Sequence, residues 1–336
     1  MAILVTGGAG YIGSHTCVAL ADAGLDIIIV DNLSNSDLKA VTNTQTLIGK
    51  GIPFFQVDIC DEGPLSSVFD SARSSGNAIT AVIHFAALKS VGESVSKPEL
   101  YRSNNIGGTN TLLKVMAQHE VHSLVFSSSC TVYGQPSEVP VAEDAPFLPA
   151  ESPYGMTKQA CEELIVEHAS NHGEFSAALL RYFNPIGAHQ TAVIGEAPRG
   201  VPNNLIPFLC QAVAGLRPSL TVFGTDYPTD DGSCIRDYLH VCDLAEAHVA
   251  ALRNLTPGIC RPYNLGTGQG TSVLGVISAF EEATGERVPH KLGERREGDI
   301  VAIWADPSKA ESELQWKAKR SLKEALLDSW RWQQSL

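Results

Sequence analysis

Tyr154 and Lys158 stand four residues apart in Pro153–Asn171, a stretch that reads as a helix. That spacing puts a phenol and an ammonium on one helical face. Upstream, Ser127-Ser128-Ser129 follows a strand-like run that ends at Phe126. In a parallel sheet, residues just past a strand's C-terminal end face the ligand crevice. The three groups could therefore converge on a substrate alcohol, with Tyr154 as acid/base and Ser129 hydrogen-bonded to the substrate oxygen. Lys158 would favour the tyrosinate. Lowering a phenol's pKa of ~10 by ~3 units takes roughly 4 kcal/mol. An ammonium ~6 Å away supplies about 2.8 kcal/mol at an effective dielectric of ~20. Taken alone, Tyr-x-x-x-Lys also fits a solvated helix pair.

The shortfall has a candidate source at the N-terminus. Thr6-Gly7-Gly8-Ala9-Gly10-Tyr11-Ile12-Gly13 follows the apolar run Ala2–Val5 and opens an amphipathic stretch. Gly7, Gly8, Gly10 and Gly13 satisfy both common glycine spacings for a dinucleotide turn, with Gly10 letting backbone approach a pyrophosphate and Gly13 letting helix and strand pack closely. The pyrophosphate would sit on the helix N-terminus. Asp31, 18 residues past Gly13 at the end of the second strand-like run, is placed to bond the adenosine ribose hydroxyls. A carboxylate there repels a 2′-phosphate, and Asn32-Leu33-Ser34-Asn35 offers no arginine to hold one, so the pattern predicts NAD over NADP. A purely structural turn with a solvated Asp31 is the alternative. Oxidised NAD carries a cationic nicotinamide, the charge that the phenol still needs.

The elements that must position these groups alternate. Ala2–Val5, Asp26–Val30, Pro53–Gln56, Thr80–His84, Ser123–Ser127 and Phe175–Arg181 read as strands, several without polar alternation. Tyr11–Ala23, Ser36–Gly49, Pro64–Ser75, Pro98–Gln118 and Pro153–Asn171 read as helices. Repeated βα units predict an α/β fold, a doubly wound parallel Rossmann sheet with right-handed crossovers. After about Arg181 the chain turns rich in Gly, Pro and Asn, as a binding region does. Val241–Leu252 and Pro262–Leu265 could return to the first sheet. The expected division is residues 1–182, with a return segment at about 239–268, as the NAD-binding domain. Residues 183–238 and 269–336 then form a smaller interleaved α/β substrate domain.

Composition excludes several functions. The 336 residues carry 24 Lys+Arg against 37 Asp+Glu, a formal charge of -13. Such a chain repels nucleic acid and acidic membranes, and no apolar run approaches the ~20 residues of a span. No basic leader precedes the first strand, so a cytoplasmic protein is expected. The eight cysteines show no Cys-x-x-Cys and read as reduced, mostly buried side chains, and no metal constellation appears. His15, His84, His189 and His240 have no evident acid–base partner and read as packed or backbone-bonded.

The fingerprint, the serines and Tyr-x-x-x-Lys together resemble the extended short-chain dehydrogenase/reductase family. The runs His84–Ser94, Ser127–Gly134, Arg181–His189 and Arg236–Val241 narrow the resemblance to its UDP-hexose 4-epimerases, along essentially the whole chain. That resemblance implies reversible inversion at C4 of UDP-glucose and UDP-galactose. Tyr154 would take the 4-hydroxyl proton, the C4 hydride would pass to tightly held, unconsumed NAD, and the 4-keto sugar would turn over before receiving it back. It also implies NAD contacts from Gly7, Gly10, Tyr11, Ile12, Gly13, Asp31, Asn32, Asp58, Ile59, Phe85, Ala86, Lys89, Asn104 and Tyr182. UDP-sugar contacts would come from Asn184, Asn204, Leu205, Phe223, Arg236, Arg296 and Asp299, with the two arginines on the diphosphate. Family members are commonly homodimers.

Relatives that dehydrate nucleotide sugars carry an acidic pair before Val-Tyr-Gly, where this chain has Cys130 and Thr131. Neither can act as a carboxylic acid. A relative acting on another nucleotide sugar, or preferring UDP-GlcNAc, remains the alternative reading, as does a dinucleotide sensor without turnover. Ile303, before Trp304, occupies the family position that walls the sugar's C2 substituent. Tyrosine there goes with plain UDP-hexoses and a small residue with N-acetylated ones. Ile303 is neither, and its size leaves open passage of UDP-GlcNAc and UDP-GalNAc.

Overall fold

The computed structural model describes residues 1–296 and 299–336. Six strands arise in the first half: β1 (Ala2–Thr6), β2 (Asp26–Asp31), β3 (Phe54–Gln56), β4 (Ile79–His84), β5 (Ser123–Ser129) and β6 (Ser176–Tyr182). The helices between them are α1 (Tyr11–Asp22), α2 (Leu38–Ile48), α3 (Glu62–Ser74), α4 (Val91–Ser96), α5 (Pro98–Tyr101), α6 (Gly108–Gln118) and α7 (Pro153–Asn171). The second half contributes β7 (Asn184–Ile186), α8 (Leu205–Val213), β8 (Leu220–Phe223), β9 (Ile235–Arg236), β10 (Tyr238–His240), α9 (Val241–Arg253) and β11 (Cys260–Leu265). It ends with β12 (Thr271–Ser272), α10 (Val273–Thr284), β13 (His290–Gly293), β14 (Ala302–Ile303), α11 (Ser308–Glu313) and α12 (Leu322–Ser335).

The main sheet has the order β11-β6-β5-β4-β1-β2-β3, and its strand pairs are parallel. It is the doubly wound Rossmann sheet expected from the sequence. Period-2 alternation sorts its side chains into two cores. Ile3, Val5, Ile27 and Ile29 join the cluster that includes Leu244 and Ala247 of α9. Ala2, Leu4, Ile28 and Val30 join the cluster under α3, α6 and α7. The order reverses between β4 and β1, where a doubly wound sheet opens its ligand crevice.

Of the two late apolar pieces, Val241–Leu252 returns as helix α9 against the sheet, and Pro262–Leu265 forms most of β11 beside β6. Pro262 suits an edge strand, where a missing N–H costs no ladder bond. The other strands form small sheets, β10-β7, β12-β9-β14 and β13-β8, around a separate core of Ile206, Leu209, Ile277, Phe280 and Leu326. The stretch read as one helix, Pro98–Gln118, is interrupted by a π-helical turn at Arg102–Gly107. Among the described residues, no helix is long and apolar enough to cross a membrane.

Candidate active site

The glycine turn is shaped by backbone crowding. Gly7 sits at φ +73, and a Cβ there would lie 2.7 Å from the backbone nitrogen of Ala86. A Cβ on Gly13 would lie 2.3 Å from the Gly7 carbonyl oxygen, so only glycine lets α1 start this close to β1. Gly10 is the N-cap of α1 and uses no side chain to cover the first N–H groups. Those free donors and the bare glycine face fit a dinucleotide pyrophosphate. Tyr11 and Ile12 open the helix, the Tyr11 hydroxyl donating to the Gly187 carbonyl at 2.6 Å and Ile12 packing on the core.

Asp31 ends β2, 7% exposed, and accepts from Ala9 N, Leu33 N and Ser36 Oγ. One carboxylate thus holds the glycine turn and the following loop in register. Asn32 donates to Asp58 at 2.9 Å. Burial pushes the Asp58 carboxyl up, but bonds from Cys60 N and Asn32 outweigh it and hold it below its ordinary value. Ile59 is buried under Gly108. Phe85 and Ala86 continue past β4, with Phe85 tilted on His248 at 4.6 Å. Asn104 lies in the π-helical turn and donates to Asn105, which pins Leu88 and Thr157. Lys89 pairs with Glu196 at 3.3 Å.

Ser152 caps α7 by accepting from Gly155 N, and Pro153 fixes its first turn. Tyr154 and Lys158 then project toward the end of β5. Lys158, 4% exposed, donates to the Ser127 carbonyl at 2.7 Å and lies 4.9 Å from the centre of the Phe126 ring. Burial holds its ammonium down to about 8, against smaller upward pulls from Cys161 and Glu162. Burial pushes the Tyr154 phenol well above its ordinary value, Tyr182 adds to this, and the Ser129 hydroxyl pulls the other way. Desolvation thus adds to the cost of the tyrosinate that the sequence assigned to Lys158 and a cationic nicotinamide together. Tyr182 Oη contacts Ser127 Oγ, and Ser129 is 8% exposed.

Beneath these groups lies a network that the sequence reading did not include. Glu162, one turn past Lys158, accepts from Ser128 Oγ and from Arg181 Nε and Nη2, the last at 2.6 Å. Arg181 also reaches Tyr133 Oη, which donates to Asn264. Buried charges need such pairing. The signal was present, because Glu162 continues the Tyr154–Lys158 face, but its partner comes from another strand.

The second lobe gathers most of the remaining residues. Asp299 lies 2.7 Å from Arg296 and 4.0 Å from Arg236, and Arg296 stands 5.7 Å from the centre of the half-exposed Phe223 ring. Asn204 caps α8, where Leu205 begins, and donates to Glu196 at 2.7 Å. Asn184 begins β7 beside β10. Ile303 is 1% exposed and packs with Val132, Tyr133 and Phe183, so the expected wall belongs to a closed cluster with Cys130 against it.

One expectation is corrected, and one residue outside the sequence pattern joins the Asp31 loop: Arg199, which donates to the Ser34 carbonyl at 3.0 Å. His240 has a carboxylate partner, Asp328, at 3.3 Å. His84 is wedged between Thr6 and Thr109 and held down to about 3 by burial, and His15 bonds the Tyr11 carbonyl. Cys60 is exposed, whereas Cys17, Cys161, Cys210 and Cys234 are buried. Among the described residues, no cluster of three or more His, Cys, Asp or Glu could hold a metal.

Known proteins resemble the chain along its length. Residues 3–266 match the NAD dependent epimerase/dehydratase family. A UDP-glucose 4-epimerase of Bacillus subtilis is 51% identical over 336 residues, covering 100% of this chain and 97% of that one. The crystal structure of a UDP-glucose 4-epimerase from Stenotrophomonas maltophila, with bound NAD and formylated UDP-arabinopyranose, is 48% identical with a TM-score of 0.95. The two align over 100% and 98% of their lengths. One from Bifidobacterium longum, in complex with NAD+ and UDP, is 44% identical with a TM-score of 0.95 and the same coverage.

Proposed function

The chain belongs to the NAD-dependent epimerase/dehydratase family, and on that premise we propose that it interconverts UDP-glucose and UDP-galactose by inversion at C4. The observation that carries this reading is the meeting of Ser129, Tyr154 and Lys158 at the end of β5, two strands along the same sheet from β1 and its glycine turn. Tyr154 accepts the 4-hydroxyl proton and later returns it, while Ser129 holds the same substrate oxygen. Lys158 is fixed by Ser127 and aligned under the phenol, where its charge favours the tyrosinate. NAD, when bound, would supply a cationic nicotinamide able to accept and return the C4 hydride.

Residues 1–182 with the return segment 239–268 serve NAD, and residues 183–238 with 269–336 serve the UDP-sugar. Arg236 and Arg296, both paired with Asp299, bind the diphosphate, and Phe223 beside Arg296 contacts the UDP-sugar. The protein is cytoplasmic and a homodimer. The half-exposed Val91, Val95, Leu100 and Val166 of α4, α5 and α7 give it an apolar face to cover. Ile303 is compatible with N-acetylated UDP-sugars as additional substrates.

Extensively dialysed protein should convert UDP-galactose without added NAD and release near-stoichiometric NAD(H) on denaturation. An absolute requirement for added NAD, with free NADH accumulating, would overturn the epimerase reading in favour of a dehydrogenase.

A further inference from the structure

The segment between β7 and α8 leaves the second lobe and crosses back to the cofactor side. Its Val193 carbonyl accepts from Asn43 on α2 at 2.8 Å, and its Glu196 pairs with Lys89. Farther along, Arg199 Nη1 donates to the carbonyls of Leu33 at 3.3 Å and Ser34 at 3.0 Å, and Nη2 donates to the carbonyl of Ser36. One guanidinium therefore gathers three carbonyl oxygens of a single loop.

That loop is the one that follows Asp31. Its inner side is tied to the carboxylate through Leu33 N and Ser36 Oγ, and its outer side is tied to Arg199. Leu33 sits at φ 59, a left-handed conformation that a branched side chain rarely adopts. A loop held in such a conformation relaxes unless its surroundings fix it. Arg199 is the group that fixes it from outside.

We propose that Arg199 is a positioning residue for cofactor retention, clasping the Leu33–Ser36 loop shut over the adenosine end of the cleft. The inference rests on the proposed NAD-dependent inversion, in which the cofactor has no need to leave between turnovers. Arg199 touches no reacting atom; it acts through the loop. Three of its five N–H donors are engaged by these carbonyls, and the Asp31 carboxylate still stands against a 2′-phosphate.

The test compares full-length wild type, Arg199→Ala and Arg199→Lys. NAD retained by each is measured chromatographically over timed dialysis, and amide hydrogen exchange is followed at residues 33–36. We expect Arg199→Ala to release NAD about tenfold faster, equivalent to about 1.4 kcal/mol, with faster exchange confined to the loop. Arg199→Lys keeps the charge but not the planar fork and should also release NAD faster than wild type. Retention within twofold of wild type in both variants would overturn the proposal. So would loss of NAD accompanied by faster exchange throughout the protein. Neither readout needs turnover: wild type that holds NAD yet leaves UDP-galactose unchanged would sink the epimerase reading and leave the clasp to be judged on its own.

Discussion

Lys158 Nζ lies 6.0 Å from the centre of the Tyr154 ring, one helical turn below it, and points its proton at the Ser127 carbonyl. The phenol is thus served by a fixed charge rather than by a mobile one. Tyr154→Phe should lower kcat by ~10²–10⁴, the scale of a general acid/base, while NAD and UDP-sugar remain bound. A loss below tenfold with an unchanged pH profile would place the base elsewhere.

The same burial that fixes Lys158 costs stability. An amine held down to about 8 on folding is protonated in both states below that pH, so the cost is fully present there. It fades as pH rises from about 8 toward the ordinary lysine value. Lys158→Met should therefore abolish most activity and yet raise stability at pH 7 by about 1–3 kcal/mol, or roughly 2–5 °C in melting temperature. The gain should shrink at pH 9.5. A gain equal at both pH values would contradict this account.

Arg236 and Arg296 share Asp299 but not their surroundings. Arg236 has a side chain 14% exposed and Arg296 one 56% exposed. Charge-assisted bonds to a diphosphate are stronger where water is excluded. Arg236→Ala should raise KM for UDP-galactose by about 10–100-fold, and Arg296→Ala by less, with the Arg296 contribution weakening as salt is added. Equal effects that share one salt dependence would show that both arginines act at the surface.

Ile303 faces a packed cluster rather than open space. Ile303→Tyr must either strain that cluster, by about 1–3 kcal/mol, or push its ring toward Cys130 and the sugar. In the second case kcat/KM for UDP-GlcNAc relative to UDP-galactose should fall by ~10–200-fold. An unchanged ratio, or wild type inert toward UDP-GlcNAc, would assign the enzyme to plain UDP-hexoses.

Strands β1 to β6 and helix α7 were legible because buried parallel strands read as apolar runs and Pro153 with Ser152 marks a helix start. Gly7 and Gly13 were legible for a similar local reason, since each is demanded by its near neighbours or by the turn itself. The π-helical turn at Arg102–Gly107 was not, because no local sequence signal separates a single i→i+5 turn from the α-helix around it. Glu162–Arg181 and Arg199–Ser34 join residues far apart in the chain, and no local pattern announces a partner. The desolvation of Tyr154 was not legible because burial, unlike spacing, is a property of the folded surroundings.

Strand β11 has a consequence for synthesis on the ribosome. Its partner β6 is complete at Tyr182, but β11 is complete only at Leu265. At about 5–20 residues per second the nascent sheet carries an open β6 edge for on the order of 4–17 s. Unpaired apolar edges are templates for pairing with other chains, so this is the interval in which a growing chain is most exposed to its neighbours on a polysome. Slow codons placed between Tyr182 and Leu265 should lower the soluble yield, and the same codons placed after Leu265 should not.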